Sequence, residues 1–251
     1  MPRYFIELAY KGTHYSGFQI QDNAVTVQEK VEDAFRVFFR KDIMLTGSSR
    51  TDAGVHAHRN YFHFDTEVVF DQKHIYNLNA LLPADIVINR IIQVQSDAHA
   101  RFEAFARHYR YCIYRVKNPF LEDRGWYLPF KLDIDLLHRC AAFVCENKNF
   151  IAFSKVHTQV KTFDCTIFYS RWMQEGDCLY YEVAANRFLR GMVRGLVGTM
   201  IKVARGNLSF EDFEGIFREW KPASADFSAP AKGLFLERVD YPETIFLTEN
   251  P

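Results

Sequence analysis

Apolar and polar positions trade places along the chain with two different periods, and the switches between those periods mark out its elements. Residues 4–10 alternate closely enough for an opening strand. Thr26-Val27-Gln28-Glu29 has the form of a capping box, with Thr26 as N-cap and Glu29 reaching back to it. Val27, Val31, Ala34, Phe35 and Phe38 follow at helical spacing, so a helix is expected to end near Arg40. Residues 43–46 and 61–64 read as strands flanking a turn-rich segment, 72–82 as a polar helix stopped by Pro83, and 86–92 as a further strand. Beyond them, 107–115 is β-like, 134–145 is an amphipathic helix, and 163–172 with 179–185 form an antiparallel pair around Glu175-Gly176-Asp177. The longest helix is expected over 188–204, with a closing strand at 233–239. Helices and hairpin-like strands are interspersed, which places the chain in the α+β class with a largely antiparallel sheet. Two halves, 1–105 and 106–251, carry similar element lists without a sequence repeat or a low-complexity linker between them.

Composition narrows the function only a little. The 251 residues suffice for one large domain or two half-size ones. The load of 24 Phe and 13 Tyr is heavy; Phe means core, whereas Tyr packs its ring and keeps a polar tip for water or a ligand. A formal net charge of zero counts against a nucleic-acid partner unless charge is segregated locally. Five cysteines without a Cys-x-x-Cys indicate neither a zinc ribbon nor a disulfide framework, but reduced, mostly buried thiols of a cytoplasmic protein. No signal-like start and no run of about 18 apolar residues occurs, so neither export nor a membrane span is expected.

Three stretches carry candidate chemistry. In Thr46-Gly47-Ser48-Ser49-Arg50-Thr51-Asp52-Ala53-Gly54-Val55-His56-Ala57, small residues surround one Arg and one Asp between apolar strands. Such a loop either presents a carboxylate to a ligand on a rigid platform, or is a plain turn in which Asp52 caps its own downstream amides. The segment 101–117 interleaves Arg101, Arg107, His108, Arg110, Arg115 and Lys117 with Phe102, Phe105, Tyr109, Tyr111 and Tyr114. As a strand it places Arg107, Tyr109 and Tyr111 on one face. That face suits phosphates and unpaired bases, or else belongs to a strand with a tyrosine core face and a solvated basic face. In the late helix Arg187, Arg190 and Arg194 recur beside Gly191, Gly195 and Gly198. Each interior glycine costs about 1 kcal/mol against alanine, so something must approach closely there; an arginine either grips a carboxylate or simply faces water. His56, His58 and His63 lack an acidic or thiol partner at a recognised spacing, and no metal is expected.

The stretch Arg50-Thr51-Asp52-Ala53-Gly54-Val55-His56-Ala57 resembles the signature of the tRNA pseudouridine synthase A family. Further family segments follow in order: Tyr10-Lys11-Gly12, Tyr15-Ser16-Gly17-Phe18-Gln19, Val27-Gln28-Glu29-Lys30, Asn79-Ala80-Leu81-Leu82-Pro83, His99-Ala100-Arg101-Phe102, Arg107-His108-Tyr109-Arg110-Tyr111, Phe188-Leu189 with Met192-Val193-Arg194, and Gly233-Leu234-Phe235-Leu236. Ser49 stands where the family has Gly, Phe18 where Trp is common, and Asn60 where Gln is usual.

The resemblance implies two α+β halves forming an extended mixed sheet with helices packed on it and a catalytic cleft between them. It also implies isomerisation of uridine to pseudouridine in the anticodon stem-loop of tRNA, at positions 38, 39 and 40, by a homodimer without cofactor or metal. Asp52 would be the catalytic carboxylate, a role with chemical precedent at sugar carbons; attack on the sugar and removal of a ribose proton both remain open. Arg194 would pair with it, and Tyr109 would stack on the uracil and serve in proton transfer at C5. Arg50 would fill the space left by the flipped nucleotide, and Leu234 would pack on the base. Arg107 and Arg110 would meet the RNA backbone. A fold that kept RNA binding and lost activity, a histidine-based metal hydrolase and a purely structural protein are the competing readings.

Overall fold

The expected opening strand is realised as β1 (Arg3–Tyr10), which is buried on both faces, with Phe5, Ile6 and Leu8 fully enclosed. It belongs to a computed structural model that describes residues 1–156, 160–218 and 221–247. These group into two compact units, Met1–Phe105 with the segment beginning at Leu236, and Ala106–Phe235.

In the first unit the sequence also contains α1 (Val27–Phe39), β2 (Thr46–Gly47), β3 (His56–Asp65), α2 (Gln72–Leu81) and β4 (Ile86–Val94). The capping box of α1 is present in both directions, Thr26 Oγ1 accepting from the Glu29 amide and Glu29 from the Thr26 amide. The helix ends at Arg40 in the left-handed region. β1 lies between β4 and β3, antiparallel to both, and β2 pairs antiparallel with β3. The strand expected over 43–46 shrinks to Thr46–Gly47, because side chains of α1 take the backbone groups that a ladder would use. Glu32 accepts from the Leu45 amide (3.0 Å) and Gln28 donates to the Leu45 carbonyl (2.8 Å).

The strand β9 (Leu234–Asp240) is hydrogen-bonded beside β3, and the segment after it packs into the first unit rather than with the half in which the sequence reading placed it. Tyr241 is the reason. Its ring lies 5.1 Å from both Phe5 and Tyr61, and its hydroxyl sits 2.6 Å from the Ala100 carbonyl and 2.9 Å from Ser48 Oγ.

The second unit holds β5 (Ala106–Tyr114), β6 (Trp126–Tyr127), α3 (Ile134–Glu146), β7 (Ile167–Glu175), β8 (Cys178–Ala185), α4 (Met192–Ala204) and α5 (Phe210–Arg218). β8 is antiparallel to both β5 and β7, and β6 runs parallel to β5. The sheet is therefore mixed and largely antiparallel, as the α+β reading expects. α3 packs on β7 and against α4 and α5. The helix expected over 188–204 starts only at Met192, because Gly191 at its N-cap adopts φ +76 and breaks the helical path. Phe188, Arg187 and Arg190 consequently precede the helix, and only Arg194 of the three arginines stands on it. α5 lies outside the elements expected from the apolar pattern. Its signal is Ser209, whose Oγ accepts from the Asp212 amide (3.0 Å), followed by Phe210, Phe213 and Phe217 at helical spacing.

Burial pushes the thiols of Cys112, Cys140 and Cys165 up to about 12, which leaves them protonated and inert. Among the described residues no helix is long and apolar enough to cross a membrane.

Candidate active site

Arg50 and Asp52 lie in the first unit, on the turn between β2 and β3, and the chain 11–18 wraps this turn from outside. The Phe18 amide donates to the Thr51 carbonyl (3.1 Å), the Gly54 amide to the Tyr15 carbonyl (3.3 Å), and the Val55 amide to the Asp52 carbonyl (3.1 Å). Two glycines make that wrapping possible. Gly17 has φ +108, and a side chain there would crowd the Thr51 carbonyl and the Ala53 amide. A side chain at Gly12 would overlap the Val55 carbonyl, and the Gly12 amide donates to His56 Nδ1 (3.1 Å). Tyr15 is anchored in turn through its hydroxyl to Asp85 Oδ1 (2.6 Å), and burial followed by that bond raises its pKa.

Beneath the turn is an aromatic floor. Phe18 stacks on Phe62 with centroids 4.5 Å apart and lies 5.8 Å from Tyr10, so its ring is a core member. Side chains then fasten the turn to the sheet. Asn60 is fully buried on the same face of β3 as Phe62 and Phe64. Its Nδ2 donates to the Ser49 carbonyl (2.9 Å) and to the Tyr10 hydroxyl (3.1 Å), while Oδ1 accepts from the Tyr61 amide (2.9 Å). Tyr10 is hydrogen-bonded to Thr51 Oγ1 (2.8 Å). Ser48, Ser49, Thr51 and Val55 are thereby buried, Arg50 is exposed and Asp52 half-buried. The backbone around Asp52 is fixed while the residue itself stays half-buried.

The histidines have other duties. His56 accepts from Gly12, His58 Nδ1 lies 2.9 Å from Glu237 Oε2, and His63 Nδ1 accepts from the Ala100 amide (3.2 Å). Among the described residues no group of three His, Cys, Asp or Glu side chains could hold a metal.

The remaining predicted residues lie in the second unit. Unbroken register along β5 and β8 puts Arg107, Tyr109 and Tyr111 on one face of β5 and Arg110 on the other. Tyr109 meets the ring of Phe188 edge-on at 4.9 Å. Arg107 donates to the Asn186 carbonyl (2.9 Å). Tyr111 is fully buried above Gly233, where any side chain would strike its ring, and its hydroxyl donates to the Pro230 carbonyl (2.8 Å). Burial raises the Tyr111 pKa against the pull of the Arg194 charge. Arg194, from the first turn of α4, donates through Nε to the Ala229 carbonyl (2.7 Å), and buried Leu234 follows Gly233 directly. Tyr109, Arg194 and Leu234 are thus gathered around Tyr111 and the chain 226–233. Arg110 is set apart on the opposite face, its guanidinium 3.7 Å above the Tyr180 ring and 2.9 Å from Glu175.

The close approach signalled by the late-helix glycines comes from this same chain. Gly195 faces the Phe227 ring, and a side chain at Gly198 would overlap the Asp226 carbonyl. Tyr10 is the residue that the sequence reading missed as part of the site. Asn60 figures there only as a departure from the family, although a lone polar residue on the apolar face of β3 is a visible signal.

Comparison with known proteins bears on the same residues. A family model described as tRNA pseudouridine synthase matches residues 147–242. The tRNA pseudouridine synthase A of Parabacteroides distasonis is 41% identical over 255 residues, covering all of both chains. That of Bacteroides fragilis is 44% identical over 97% of this chain and 98% of its own length. The Staphylococcus aureus (strain bovine RF122 / ET3-1) protein of the same name is 34% identical over 99% of this chain and 92% of its own.

Proposed function

The chain belongs to the tRNA pseudouridine synthase family, and from that premise we propose that it isomerises uridine to pseudouridine in the anticodon stem-loop of tRNA, at positions 38, 39 and 40, with Asp52 as nucleophile. The observation that carries this reading is the turn 48–55, pinned by hydrogen bonds on both sides while Arg50 is left exposed and Asp52 half-buried. A carboxylate that must attack one sugar carbon gains from such fixing, because geometry held in advance lowers the barrier.

In the proposed reaction the Asp52 carboxylate attacks ribose C1′ and the C1′–N1 bond breaks, its electron pair leaving on the uracil. The base turns, C5 bonds to C1′, and Asp52 is released. The proton on C5 is then lost and N1 gains one, so the product is an isomer of the substrate. Tyr109, with its ring steadied by Phe188, is the stacking surface for the uracil and the relay for the C5 proton. Arg194 steadies the Asp52 carboxylate, Leu234 packs on the base, and Arg50 enters the gap left by the flipped nucleotide. Arg107 meets a phosphate, whereas Arg110 is engaged by Glu175 on the opposite face of β5. The chain acts on tRNA in the cytoplasm as a homodimer, and its own side chains suffice without metal or cofactor.

Unmodified tRNA transcripts incubated with the protein and then mapped for pseudouridine test the substrate. New pseudouridine confined to positions 38–40 is expected. Modification elsewhere would overturn the site on the RNA, and none at all would overturn the reaction.

A further inference from the structure

We propose that Asn60 and Tyr10 are positioning residues for the reaction, acting through Ser49 and Thr51 to set the direction of Asp52. This inference rests on the reading of Asp52 as the catalytic carboxylate and adds residues that do not touch the nucleotide.

The geometry is closed. Asn60 uses both hydrogens of its amide, on the Ser49 carbonyl and the Tyr10 hydroxyl, and its oxygen takes the Tyr61 amide. No polar atom of the side chain is left over, and it is 0% exposed. The Tyr10 hydroxyl, occupied on one side by Asn60, is bonded on the other to Thr51 Oγ1. Two tethers therefore arrive on either side of Arg50, at Ser49 and at Thr51, and the second ends on the residue immediately before Asp52. The opposite edge of the turn is held independently, by the Phe18 amide on Thr51 and by Gly54 on Tyr15. Thr51 is thus gripped from two directions, through its side chain from β1 and through its carbonyl from the wrapping chain.

A buried polar side chain among Phe18, Phe62 and Phe64 carries a desolvation cost that an apolar residue would avoid. A buried network whose polar atoms are paired fixes one arrangement. Here the arrangement fixed is the backbone on both sides of the arginine and the aspartate. Asn60 spans from the sheet to the turn with its single amide, reaching the Ser49 carbonyl directly and Thr51 through the Tyr10 hydroxyl.

Tyr10→Phe removes only the hydroxyl and keeps the ring against Phe18. Its single-turnover rate at saturating tRNA is expected to fall roughly 10- to 100-fold, the loss typical of a slightly misplaced reacting group, with the tRNA dissociation constant within about twofold of wild type. Thr51→Val should cost a similar factor, and the double variant little more than either single one, because both break the same tether. Asn60→Leu serves as a structural readout that needs no activity: hydrogen exchange at the amides of residues 50–55 should quicken while the amides of β1 and β4 stay protected. Full turnover in Tyr10→Phe, or unchanged exchange at 50–55 in Asn60→Leu, would overturn the positioning role. Failure of the wild-type protein to form pseudouridine would instead overturn the catalytic reading, and the exchange measurement would still decide whether Asn60 holds the turn.

Discussion

His63 shows what burial does to one titratable side chain of β3. Its Nδ1 accepts from the Ala100 amide, and its ring lies 4.5 Å from that of His99. Burial first, then the nearby charges of His99 and Arg3, lower its pKa to about 4. The folded form therefore holds His63 neutral at pH values where the unfolded chain, with an ordinary value near 6.5, binds a proton. Stability is fully present above about pH 6.5, falls as the pH drops, and goes on falling until about pH 4. The loss from this residue is on the order of 3 kcal/mol. Urea denaturation at pH 7, 6 and 5 should show the decline in wild type and a flatter dependence in His63→Gln; equal slopes would rule out the assignment. Ser49 is the opposite case, a buried hydroxyl whose Oγ has no hydrogen-bond partner among the described residues. Such a group costs about 1–3 kcal/mol, so the Ser49 hydroxyl weakens the turn rather than supporting it.

At the scale of elements, α4 separates what the sequence shows from what it hides. Its apolar spacing was legible, and so was the need for a close neighbour at Gly195 and Gly198. The identity of that neighbour was not, because the chain at 226–227 lies about 30 residues away and carries no periodic pattern. The late start of the helix was hidden for a related reason: a glycine within a helical pattern does not announce that it will take positive φ. Gly198→Ala tests the packing. Alanine favours a helix by about 1 kcal/mol over glycine, but its methyl group would overlap the Asp226 carbonyl, a backbone atom that no rotamer change can move. The collision outweighs the propensity, and a net loss of about 1–3 kcal/mol is expected in chemical denaturation. Arg194, which bonds the carbonyls of Ala229 and Phe227, shifts with that chain. Stability equal to or above wild type would show that the chain 226–233 yields easily.

For the whole molecule, zero net charge argued against an RNA partner, and the family assignment overrides it. Part of the discrepancy is visible in local pairing. Arg110 and Arg171, both on β strands of the second unit, are offset by Glu175 and Glu182, so arginines that would raise the net charge are neutralised in place. The candidate site was legible where chemistry is written in consecutive residues, as at 46–57. It was illegible where it depends on contacts between distant positions, such as Tyr10 with Thr51 or Tyr241 with Ser48. Hydrogen bonds across 41 and 193 residues leave no trace in local spacing. The chemistry turns on one carboxylate, and pseudouridine formation by Asp52→Asn beside wild type, on the same transcript with the fold checked by thermal melting, tests it. Loss of all detectable isomerisation, with tRNA affinity and melting temperature near wild type, is the predicted result. Turnover retained in the Asp52→Asn variant would contradict the account.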